Sequence, residues 1–107
     1  MAGASDALEH IRAYLTRRQL NFTHHAATGV LELDIAPRDI EEALKEQTAE
    51  LLEDYAKDAR GSSCLILVWT RDGRPLHVVC SYPQAVVVTV YQPDPGRWED
   101  FRRRLPK

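Results

Sequence analysis

Three short runs rich in β-branched and aromatic residues, spaced by turn residues, dictate a meander. They are about Cys64 to Thr70, Pro75 to Tyr82, and Val86 to Tyr91. Asp72-Gly73 lies between the first two, a strong two-residue hairpin signal, and Pro83-Gln84-Ala85 links the second to the third. Connections this short join only antiparallel neighbours.

The N-terminal half has the helical period instead. Asp6 to Arg18 reads as a helix, with Asp6 and Glu9 at capping-box spacing and Leu8, Ile11 and Leu15 on one face beside Tyr14. Thr23 is placed to cap a short helix from His24, which Gly29 weakens. Pro37 opens another helix, with Ile40, Ala43 and Leu44 on one side, expected to reach about Ala49. Leu51 to Tyr55 reads as a fourth strand, and Asp94-Pro95 as the start of a short terminal helix through Trp98 and Phe101. The whole predicts a single α+β domain over residues 1–107, with helices on one face of an antiparallel sheet of about four strands.

A two-residue Asp72-Gly73 turn sets Arg71 opposite Arg74, hence Val68 opposite His77 and Ile66 opposite Val79. A three-residue Pro83–Ala85 loop sets His77 opposite Tyr91 and Val79 opposite Thr89. The expected core face is then Leu65, Leu67, Trp69, Leu76, Val78, Cys80, Val86, Val88 and Val90. The other face is mixed, with Cys64, Ile66 and Val68 around His77, Thr89 and Tyr91, and is expected to be partly covered by a second subunit. A His beside a Tyr and a Thr suits general acid–base work, or is a buried His satisfied by a hydroxyl.

Composition narrows the function classes. Fourteen Lys and Arg against sixteen Asp and Glu give a net charge of −2, which argues against a strongly basic nucleic-acid binder. Glu41, Glu42, Glu46, Glu50, Glu53, Asp54 and Asp58 face only Lys45 and Lys57 along one stretch, and that side should repel nucleic acid. No apolar run has the length of a membrane helix, so no membrane contact is expected. Met1 to His10 lacks the apolar centre of a secretory signal, which with two cysteines outside any Cys-x-x-Cys points to the cytoplasm. No zinc spacing appears, and Cys64 and Cys80 fall on opposite faces in this register, so neither metal nor cofactor is expected.

Several motifs carry a resemblance. Leu52-Glu53-Asp54-Tyr55, Ser63 to Leu67, Gly73 to Val79 with its Leu76-His77-Val78, Thr89 to Asp94, and Trp98 together resemble the bacterial domain-of-unknown-function family 4258. His25-Ala26 and Ile35-Ala36 to Leu44 fit as well, so the likeness spans about residues 20 to 104. That family is similar to the RelE and BrnT ribonuclease toxins. The resemblance implies a RelE-like fold whose open sheet face holds RNA, cutting it without metal by 2′-hydroxyl attack on the adjacent phosphate. The chain departs from the family where Gly29 and Leu33 replace the arginines of its His-Ala helix.

The candidate catalytic residues are therefore His77, Tyr91, Thr89 and His25, with Arg102, Arg103 and Arg104, beside Lys107, as a candidate RNA-contacting patch. Each has a structural alternative: a core His bonded to Tyr91, sheet-stabilising hydroxyls, a helix-start His, a solvated helix end. Asp54 is a base, a ligand for Arg60, or a strand-end turn carboxylate, and Trp98 and Phe101 dock the last helix. Three functions stay open. One is a toxin-type metal-independent RNA endonuclease. A second is a non-catalytic domain docking RNA, the ribosome or a protein. A third is a subunit of a homodimer or antitoxin complex using the mixed face.

Overall fold

The computed structural model describes residues 5–57 and 61–106; Asp58, Arg60 and Lys107, invoked above, lie outside them. The elements run α1 (Ala7–Leu15), β1 (Asn21–Phe22), α2 (His24–Glu32), α3 (Pro37–Lys45), β2 (Glu50–Tyr55), β3 (Ser63–Trp69), β4 (Pro75–Ser81), β5 (Val86–Tyr91), β6 (Trp98–Glu99) and β7 (Arg103–Arg104). The main sheet has five strands, not about four, in the order β1-β5-β4-β3-β2. The added strand is β1, which pairs with β5 in parallel through Asn21 and Phe22. A pair of residues is too short to leave an alternation to read. β6 and β7 form a separate two-stranded sheet. None of the described helices is long and apolar enough to cross a membrane.

The helices start for local reasons. Thr23 Oγ1 accepts from the Ala26 N–H at 3.1 Å and donates to the Val88 carbonyl at 3.0 Å, so one hydroxyl caps α2 and ties it to β5. Gly29 sits inside that helix because a Cβ there would lie 3.1 Å from the Val90 carbonyl oxygen. Pro37 opens α3, and Asp39 accepts from the Ala36 N–H at 3.1 Å. The predicted capping box of α1 does not form: Asp6 makes no side-chain cap, and Ser5 Oγ accepts from the Ala7 N–H instead. α3 stops at Lys45 rather than Ala49, where Arg12 reaches from α1 to the Leu44 carbonyl at 3.0 Å.

All three helices lie on one face of the sheet. Ile11, Leu15, Ala26, Val30, Ile40 and Leu44 pack there on Cys64, Ile66, Val68, Leu76, Val78, Cys80, Val87 and Val90. This corrects the expected faces of β3. The β3–β4 loop holds three residues, Arg71-Asp72-Gly73, closed by Thr70 N–H to Arg74 O and Gly73 N–H to Thr70 O, both 2.9 Å. Gly73 takes the left-handed conformation, φ 88°, that this longer loop needs. Thr70 rather than Arg71 thus faces Arg74, and the pairs become Leu67↔His77 and Leu65↔Val79. One residue of slip exchanges every side chain of β3. Cys64 and Cys80 are consequently not on opposite faces: they are register partners on the core face, buried and free. Burial pushes both thiols up to about 12.

β5 departs in a smaller way. His77↔Tyr91 and Val79↔Thr89 pair as the pattern predicts, but a bulge brings Val87 opposite Cys80. Val87 is buried in the core and Val88 is exposed, the reverse of the expected parity.

Candidate functional site

The second face of the sheet is built in rows across the strands. One row is Glu50, Leu67, His77 and Tyr91; the next is Glu53, Leu65, Val79 and Thr89. Tyr55 follows, opposite Ser63. Glu53 joins this face because a bulge falls between Leu51 and Glu53. In strict alternation it would share a face with Leu51, which packs against the helical core.

The expected terminal helix does not form. Asp94 starts one turn, accepting from Gly96 N–H on Oδ1 at 2.8 Å and from Arg97 and Trp98 N–H on its carbonyl at 2.9 and 3.0 Å. The chain then folds back as the β6–β7 hairpin. Of its three connecting residues, Asp100, Phe101 and Arg102, the first two have φ of 54° and 61°, and Arg102 N–H bonds Glu99 O at 2.9 Å. Two consecutive positive φ values strain a bulky residue such as Phe, by about 1–3 kcal/mol. Tertiary contacts hold it. Phe101 sits edge-on to Trp69, ring centroids 6.0 Å apart, and its carbonyl is aimed into the sheet face.

That carbonyl meets His77, which is fully buried. His77 Nε2 lies 2.6 Å from the Phe101 oxygen, and Nδ1 lies 3.2 Å from the Tyr91 hydroxyl. A carbonyl can only accept, so Nε2 carries the proton and Nδ1 accepts from Tyr91 O–H. Trp98 covers the imidazole, rings 4.4 Å apart and near perpendicular. Burial holds the His77 pKa below its ordinary value, outweighing the opposing pull of the Phe101 carbonyl and the Glu53 charge. Burial also raises Tyr91 and Tyr55.

The arginine run anchors the hairpin. Arg102 grips Glu50 (Nε to Oε1 3.0 Å) and Asp100, Arg103 pairs with Glu99 at 2.9 Å, and Arg104 forks onto Glu53 at 2.9 and 3.1 Å. Arg104 also lies over the Trp98 ring, 4.7 Å from its centroid. Tyr55 donates to the same Glu53. The guanidiniums hold both carboxyls low, Glu53 through Arg104 and Glu50 through Arg102.

Stability should therefore respond to acid in two steps. Unfolded His77 has its ordinary value of 6.5 while the folded one is lower, so below about 6.5 the unfolded chain binds the extra proton and stability declines as pH falls. Glu50 and Glu53 add a second loss as pH falls below their ordinary 4.5, through their lower folded values. Urea melts across this range should show both limbs, and His77→Phe should remove the upper one. An upper limb that survives in His77→Phe would assign it elsewhere.

The candidate residues thus part company. His77 and Tyr91 are joined by a hydrogen bond, and half-buried Thr89 lies one row away. His25 is exposed on α2, in the helical layer on the other side of the sheet. Asp54 accepts from Ser5 Oγ and the Tyr82 hydroxyl, each at 2.6 Å. Leu33 is half-buried against the core and Gly29 is clamped on β5, so neither supplies a cation. Glu53 and Tyr55, seen in the sequence only as part of a family motif, and Arg97, not singled out there, border the same face or hairpin. Among the described residues no His, Cys, Asp and Glu side chains gather to hold a metal ion.

Neither the curated proteins nor the solved structures contain a match to this chain. Residues 22–92, from the end of β1 through the His77–Tyr91 row, match the family described as Domain of unknown function (DUF4258). That match spans well over half of the sequence, and the chain belongs to this family.

Proposed function

We propose that this domain binds RNA without cutting it. The state of His77 carries the reading. Metal-free cleavage of RNA needs a base for the 2′-hydroxyl proton and an acid for the leaving oxygen. His77 is buried, held neutral, and bonded at both ring nitrogens beneath the chain's own hairpin. The other histidines, His10, His24 and His25, belong to the helices. Arg102, Arg103 and Arg104 each face a carboxylate, which leaves no free cation among the three to stabilise a phosphorane. Support for RNA as ligand is the resemblance to the RelE and BrnT toxins, together with the aromatic and arginine residues at the rim of this face.

The test is incubation of folded protein with total RNA in EDTA, followed on a denaturing gel, with His77→Gln and Glu53→Gln alongside. Intact RNA in all lanes, with RNA retarded on a native gel, is the expected result. Cleavage by the wild type that either variant abolishes would replace binding with a toxin-type endonuclease. Absence of any retarded RNA would remove the reading altogether.

A further inference from the structure

Beside the hairpin lies an open basin of about 820 Å³. Tyr91, Gln92, Arg97, Trp98, Arg104 and Leu105 line it. The carboxylate in its wall is Asp94, one oxygen of which is already taken by the Gly96 N–H. Arg97 is exposed where the Asp94 turn ends, and no carboxylate among the described residues pairs with it. Arg104 is pinned over the Trp98 ring, which rests in turn against His77. The basin therefore offers a free guanidinium, a second guanidinium already ordered on an indole, a phenol and an amide.

We infer that this basin seats a single-stranded RNA segment, with a phosphate on Arg97 and a base against Arg104 and Tyr91. The inference rests on the RNA-binding reading and adds the site and the strand class. Flat guanidinium and phenol surfaces are useful to an unstacked base, which a duplex does not present. An acidic peptide would use the two arginines and leave Tyr91 and Gln92 without a role. Because the chain is formally −2, attraction comes from this basin and not from the surface as a whole. With one or two phosphates engaged, log Kd should rise with log salt at a slope of only about 1.

The experiment is fluorescence anisotropy of the full chain with a short dye-labelled single-stranded RNA of mixed sequence, in EDTA. Arg97→Glu is the test variant. Arg38→Glu is the control, because Arg38 lies on α3 across the sheet. Thermal melts should leave Arg97→Glu as stable as wild type, since its side chain holds no other group among the described residues. Expected are saturable binding, a Kd about tenfold weaker in Arg97→Glu, no change in Arg38→Glu, and the shallow salt slope. The seat is wrong if Arg97→Glu binds as tightly as wild type, if the matching duplex binds equally well, or if polyglutamate displaces the strand. Those outcomes leave RNA binding in place. A labelled strand recovered in pieces, or no saturable binding by the wild type, overturns the reading beneath it.

Discussion

His77→Ala is expected to cost about 3 kcal/mol of folding stability and to lower Tm by about 12 °C. Three losses combine. The imidazole is fully buried, so alanine leaves a cavity beneath Trp98. The Phe101 carbonyl loses its donor and the Tyr91 hydroxyl its acceptor, both inside the hairpin–sheet contact. The strained turn at Phe101 loses the bond that fixes its carbonyl. Two further variants separate these effects. His77→Phe refills the volume and orphans both polar groups, and should recover less than half of the loss. His77→Gln keeps an N–H donor near Phe101 and should recover more. Urea and thermal melts with matched m-values decide it. A His77→Phe protein as stable as wild type would mean that the two hydrogen bonds contribute nothing net.

Trp98→Ala should cost up to about 3–5 kcal/mol, capped at the free energy that docks the hairpin. Trp98 is 6% exposed and is the contact between His77 below and Arg104 above. Its loss leaves Arg102–Glu50 and Arg104–Glu53 to hold the hairpin, and half-exposed ion pairs of this kind hold about 1 kcal/mol or less each. The hairpin should therefore open while the five-stranded sheet stays folded. Far-UV circular dichroism should change little, and amide exchange should quicken at residues 98–104. The His77 pKa, followed by NMR, should rise towards its ordinary value once burial no longer depresses it. An unchanged His77 titration in a folded Trp98→Ala protein would show that the imidazole is covered by something other than this ring.

The distribution of the apolar residues explains what could be foreseen. β4 carries polar residues at one parity (His77, Ser81) and apolar ones at the other, so its burial is legible and its pairing with β5 through His77 and Tyr91 follows. β3 reads Cys-Leu-Ile-Leu-Val-Trp from residue 64, apolar at both parities, so hydrophobicity alone cannot choose its inward face. The choice then fell to the residue flanking the loop, Thr70, whose backbone and hydroxyl close the turn on Arg74. The arrival of Leu65 and Leu67 on the second face in place of Ile66 and Val68, and the meeting of Cys64 with Cys80, both follow from that loop.

The candidate site divides in the same way. His77, Tyr91, Thr89 and the arginine run are visible as residues, and the first two as neighbours, because strand pairing is a local rule. Their condition is not visible. That His77 is sealed beneath Trp98 and bonded to the Phe101 carbonyl depends on a hairpin whose turn residues, Asp100 and Phe101, carry no recognised turn signature. That Arg102 and Arg104 are matched by Glu50 and Glu53 depends on contacts about fifty positions away along the chain.

By itself, then, the sequence determined three helices ahead of an antiparallel meander, because periodicity, caps and turn residues act within a few positions of one another. Tertiary structure alone decided which face of β3 is core, whether the last segment is helix or hairpin, and whether His77 and the arginines are free. Those outcomes depend on burial and charge pairing between segments far apart in the chain, for which local pattern holds no information.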